Sequence, residues 1–78
     1  MSETQQFGVA LFHSTQSAIR AEKALKEAGL EVKMIPTPRH LSSDCGLALR
    51  FLWAQVAEVE ATLSRHNVEC SSTHRLFG

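Results

Sequence analysis

The spacing of apolar and polar positions changes period along the chain and predicts six elements. Residues 7–13, FGVALFH, are apolar and rich in strand formers, with Phe7, Val9 and Leu11 on one face and Phe12 on the other. A first strand is expected there. Ser14 or Thr15 can then cap a helix in which Ala18, Ala21, Leu25 and Ala28 recur at helical spacing, with Gly29 placed to close it. That helix is predicted from about Gln16 to Ala28. Leu30, Val32 and Met34 alternate with Glu31, Lys33 and Ile35, the pattern of a half-buried strand, and Pro36 and Pro38 end it. Because Pro36 has no N–H to give to a ladder, this strand belongs at a sheet edge. In residues 45–51, CGLALRF, Leu47, Leu49 and Phe51 share one face, and Gly46, Ala48 and Arg50 share the other, which predicts a third strand. Leu52, Val56, Val59 and Leu63 form one stripe. They predict a helix from about Ala54 to His66, with Asn67 able to take the left-handed closing position. Residues 68–78, VECSSTHRLFG, supply a short last strand.

The order is β-α-β-β-α-β. It predicts an α+β fold of the ferredoxin-like kind, a four-stranded antiparallel sheet with both helices on one face. Right-handed crossovers give the strand order 4-1-3-2, which places the Pro36 strand at an edge. One domain spanning residues 1–78, with a core of about 7–77, accounts for the whole pattern. In this topology strands 1 and 2 end, and strands 3 and 4 begin, along one rim, and the first helix starts there too. His13, Ser14, Thr15, the segment 37–45, the end of the second helix at Arg65 and His66, and Cys70 should gather along it. Phe12 and Ile35, read onto the open sheet face, leave a homodimer open.

Composition narrows the class of partner. The chain has 78 residues, 44% hydrophobic and 21% charged, the balance of a small soluble globule. Eight basic residues offset eight acidic ones, so no global field draws in a polyanion, and nucleic acid is not an expected partner. The open sheet face also lacks the paired aromatics with which RNA-binding sheets stack bases. The start MSETQQ has neither the basic segment nor the apolar run of a signal peptide, and no stretch reaches the length of a membrane span. A cytoplasmic protein without a membrane partner is expected, so Cys45 and Cys70 are read as thiols. Strands 3 and 4 flank strand 1, so their starts lie about 10 Å apart. A disulfide needs a Cα separation of roughly 4.4–6.8 Å, so a bond between the two cysteines would require backbone movement.

The chemistry-bearing residues concentrate in TPRHLSSDCG, residues 37–46, which is long for a link between neighbouring strands. A helix start and nearby cations favour a thiolate, so the first-turn amides near Ser14 and Thr15, with Arg39 and His40, are candidate causes of a lowered Cys45 pKa. Asp44 opposes them. Ser42 and Ser43 add hydroxyl donors, and Gly46 leaves the sulfur approachable. His13, His40 and Thr37 are accessory candidates. Cys45 can equally be a small buried hydrophobe, as can Cys70, and the histidines can be ordinary surface residues. Cys70 with His74, and His40 with Cys45, have loose ligand-like spacing. With no C-x-x-C present, no metal site is expected. Nucleotide-loop, hydrolase and metalloprotease motifs are missing.

IPTPRHLSSDCGLALRF carries a resemblance. Ser14-Thr15, Ala21 to Leu25 within the first helix, Ile35 to Arg39 and Ser42 to Gly46 together resemble the small prokaryotic Se/S carrier protein-like family, over about Phe7 to Val68. The resemblance implies a sulfur or selenium carrier rather than a free-standing enzyme, with Cys45 as the attachment residue. It would need no cofactor beyond a persulfide or selenide on that cysteine. The partners implied are sulfur- or selenium-transfer proteins: a cysteine desulfurase, a TusA-like carrier, selenophosphate synthesis. Two other readings stay open from the residues. One is an ACT-like module that binds a small molecule without covalent chemistry. The other is a thiol-based metal or redox sensor using Cys45 and Cys70.

Overall fold

The computed structural model describes residues 6–39, 41 and 46–76. Its elements are β1 (Phe7–Leu11), α1 (Thr15–Glu27), β2 (Val32–Pro36), β3 (Leu47–Leu52), a 3-10 turn (Trp53–Gln55), α2 (Val56–Arg65) and β4 (Ser72–Leu76). The strands form one antiparallel sheet in the order β2-β3-β1-β4, the expected order read from the other end. Pro36 lies on the edge strand, where a missing N–H costs no ladder bond.

Local chemistry sets the ends of the helices. Ser14, in extended conformation, accepts the Ser17 N–H on its hydroxyl at 3.2 Å and so caps α1. Gly29, at φ 86°, turns the chain out of α1, and Asn67, at φ 57°, turns it out of α2. The 3-10 turn takes up the first residues of the predicted second helix, and Leu52 belongs to β3.

Both helices pack on one sheet face. Ala18, Ala21 and Leu25 of α1 and Val59 and Leu63 of α2 share one buried cluster with Ala10, Phe12, Leu49 and Phe51. This corrects the expected facing of strand 1. Phe12 is fully buried under the helices rather than on the open face, and Val9 and Leu11 point to the open face. The argument for a dimer through Phe12 therefore loses its ground. The reason is steric. β1 is apolar on both sides, so alternation alone cannot choose a facing, and Gly8 and Ala10 are the residues that let the helix layer come close. A Cβ at Gly8 would lie 2.5 Å from the Trp53 ring and 2.9 Å from the Phe51 ring. Those two rings stack with centroids 6.1 Å apart.

The open face carries a second, smaller cluster. Val9, Leu11 and Ala48 are buried there, with Ile35, Leu41 and Leu76 packed against them. Ile35 is thus on the expected face.

The two glycines Gly8 and Gly46 should respond oppositely to alanine. Gly8→Ala forces two rings aside and should cost about 1–3 kcal/mol, read as a lowered urea midpoint at unchanged slope. At Gly46 a Cβ meets nothing within 4 Å among the described residues, so Gly46→Ala should stay within about 0.5 kcal/mol of the parent.

Candidate functional site

The register brings the ends of four strands to one rim. Leu11 pairs with Ala48 on one side and Ser72 on the other, and Pro36 pairs with Leu47. His13, Ser14 and Thr15 follow directly from β1 as the chain enters α1. The β2–β3 connection starts and closes on this rim through Thr37, whose N–H donates to the Gly46 carbonyl at 3.0 Å. Arg39 is exposed on that connection. His40, Ser42, Ser43, Asp44 and Cys45 lie outside the described residues, so the contacts expected of them are not part of this geometry.

Two of the rim residues have structural tasks. The Ser14 hydroxyl both accepts from Ser17 N–H and donates to Ser17 Oγ at 3.2 Å, so the cap occupies it. Gly46 offers its carbonyl to close the neck of the connection, while the space beside its Cα stays open among the described residues.

The second helix does not reach the rim as expected. His66 instead lines a hollow with Arg20, Lys23 and Glu27 of α1. Helix length explains this. At ten residues α2 spans about 15 Å against roughly 20 Å for the thirteen of α1, so it stops beside the middle of α1.

Leu41 was not among the expected site residues. It is the sole apolar side chain between Pro38 and Cys45, and it packs on the Val9, Leu11 and Ala48 cluster of the open face. Its N–H donates to the Pro38 carbonyl at 3.0 Å, a tight turn. The connection is therefore fixed to the sheet at a second point, on the side away from α1. A single leucine in a polar loop was the signal available in the sequence.

Cys70 reaches the same rim from β4 and is a half-buried free thiol. Its S–H, shared between two acceptors, donates to the Leu11 carbonyl at 3.5 Å and the Ser72 carbonyl at 3.4 Å. Next to it, Ser71 N–H donates to Leu11 O at 2.7 Å. Burial pushes the Cys70 thiol above its ordinary pKa; hydrogen bonding at Ser72 and Leu11 pulls it back in part, and the carboxylate of Glu60 pushes it up. Glu60 is held nearby by the Thr73 hydroxyl at 3.1 Å. Beside Cys70 a hollow of about 410 Å³ is lined by Glu60, Ser64, Thr73 and their neighbours. No group of three or more metal-ligating side chains occurs among the described residues. None of the described helices is long and apolar enough to cross a membrane.

The sequence profile of the family described as "Putative Se/S carrier protein-like" matches residues 7–75. A curated relative in Escherichia coli strain K12, named "Uncharacterized protein YtiA", is 44% identical over 39 residues, half of this chain. The match spans 46% of that relative's length, so the likeness covers less than half of it. No solved structure matches the chain.

The raised pKa of Cys70 makes a prediction about pH. The fold holds this proton more tightly than the unfolded chain does. Its contribution to stability is full below the unfolded thiol's pKa and is lost as pH rises from there through the folded value. Urea midpoints measured across the alkaline range should fall for the parent, and the fall should be shallower in Cys70→Ala.

Proposed function

Because the chain belongs to the Se/S carrier protein-like family, we propose that it carries a sulfane sulfur or a selenium atom on Cys45 between a donor and an acceptor of the sulfur- and selenium-transfer machinery. The observation that supports this reading is the state of Cys70, a half-buried thiol. Burial raises the pKa of Cys70 and so disfavours the thiolate that would act as nucleophile. Cys45 is the remaining sulfur able to serve. It stands in the segment whose neck, from Thr37 to Gly46, is held on the same rim as the start of α1.

Loading is a thiol exchange. The Cys45 thiolate attacks the outer sulfur of a donor persulfide R–S–SH, the donor's S–S bond breaks, and the donor leaves as the thiolate R–S⁻. The product is Cys45–S–SH, or Cys45–S–SeH when the outer atom is selenium. No electrons are gained or lost overall. An acceptor thiolate reverses the step and takes the atom away. A cysteine desulfurase is the class of donor this step requires, and a TusA-like carrier or selenophosphate synthesis is the class of acceptor.

The protein's part is to keep an anion stable and approachable at neutral pH. Arg39, exposed on the connection, supplies a cation, and Ser42 and Ser43 supply hydroxyl donors. The positive end of α1 on the same rim adds to both. Gly46 keeps bulk away from the attacked atom, and among the described residues no packing contact requires a glycine there.

Loading by a cysteine desulfurase, followed by intact mass, should add one sulfur to the parent and to Cys70→Ser and none to Cys45→Ser. Arg39→Ala should slow loading by less than tenfold, because one exposed cation contributes about 0.3–1 kcal/mol. Equal loss in both cysteine variants would replace the carrier with a paired-thiol sensor.

A further inference from the structure

Lys33 and Arg50 are direct cross-strand partners in the β2–β3 pair. Like charges opposite one another in an antiparallel pair repel and weaken the pairing. The ion pair formed nearby joins Lys26 to Glu22 at 3.3 Å, and neither Lys33 nor Arg50 takes part in one among the described residues. Arg50 is held by the Phe7 ring, but among the described residues neither cation has an acidic partner to offset the charge of the other.

A hollow of about 390 Å³ opens beside them, at the corner where β2 begins and β3 ends. Phe7, Val32 and Leu52 supply its accessible apolar lining, with the buried Leu30 and Phe51 behind them. Lys26, near the end of α1, brings a third cation, and Glu31 is the one acid on the lining. The Arg50 guanidinium carbon sits 4.5 Å above the centre of the Phe7 ring. A guanidinium stacked on a ring in this way can still donate through its edge N–H groups.

We propose that this corner binds a small organic anion, a carboxylate or phosphate group carried on an apolar or aromatic body. Arg50 and Lys33 grip the oxyanion, whose charge removes their mutual repulsion, while Lys26, paired with Glu22, borders the hollow from the helix side. The apolar wall takes the rest of the molecule, and the volume lies in the lower range of small-molecule sites. β3 runs about 17 Å from Leu47 to Leu52, so this corner is at the far rim from the Thr37–Gly46 neck. The site is thus independent of what Cys45 carries.

The test is an amide-shift titration of the ¹⁵N-labelled full chain with phenyl phosphate, benzoate and the neutral control benzyl alcohol. Saturable shifts centred on Glu31 to Lys33 and Arg50 to Leu52 are expected with at least one of the two anions and not with the alcohol. The anion that binds more tightly identifies the oxyanion preferred. Lys33→Gln should weaken that binding about tenfold, the effect of losing one charge-assisted hydrogen bond. Its urea midpoint without ligand should equal or exceed the parent's, which shows that the variant folds. No saturable shift with either anion, an equal response to benzyl alcohol, or undiminished affinity in Lys33→Gln would overturn the proposal.

Discussion

The distance between the sheet and its helix layer is set at β1, where Gly8 and Ala10 face the helices. A Cβ at residue 8 has no room beside the Trp53 and Phe51 rings, so the chain places a glycine where two aromatic side chains close the end of the core. On the helix side, Ala18, Ala21 and Ala24 are correspondingly small and buried. Small residues on both surfaces bring the layers together, and Phe12, Leu25, Leu49 and Val59 fill the space between them. Once β1 faces this way its pairing with β3 and β4 follows. That pairing puts Leu11, Ala48 and Ser72 side by side at the rim where α1 begins.

Sequence patterning was sufficient wherever one physical signal dominated. Pro36 dictated an edge strand, Gly29 and Asn67 marked helix ends with positive φ, and Ser14 capped α1. The order of the elements then fixed the topology. It was insufficient at β1, because FGVALF is apolar on both faces and its facing depends on which side can approach closely. That is a property of the partner layer, which alternation within the strand does not record. The length of α2 had the same character. His66 was assigned to the rim from connectivity, whereas ten helical residues stop short of it.

The candidate site divides in the same way. The gathering of His13, Thr15, Thr37, Arg39 and Gly46 on one rim was legible from topology alone. The anchoring of the connection through Leu41 was not, because a lone leucine in a polar stretch has no period from which to read a facing. Cys70 was legible as a packing residue from its bland surroundings. Its hydrogen bonds to the carbonyls of Leu11 and Ser72 give the physical reason. Alternation along the third strand placed Arg50 on the face of Gly46 and Ala48 and went no further. Its opposition to Lys33 depends on the strand register, which no single stretch of sequence displays.

The proposed carrier role divides the work between two thiols, Cys70, half-buried at the β1–β4 edge, and Cys45, in the connection between β2 and β3. Peptide mapping by mass spectrometry, on protein isolated without reductant and blocked at once with an alkylating reagent, tests that division most directly. The account predicts an additional sulfur or selenium atom on the peptide that contains Cys45 and an unmodified sulfur at Cys70. The additional atom on the Cys70 peptide, with Cys45 bare, would contradict it.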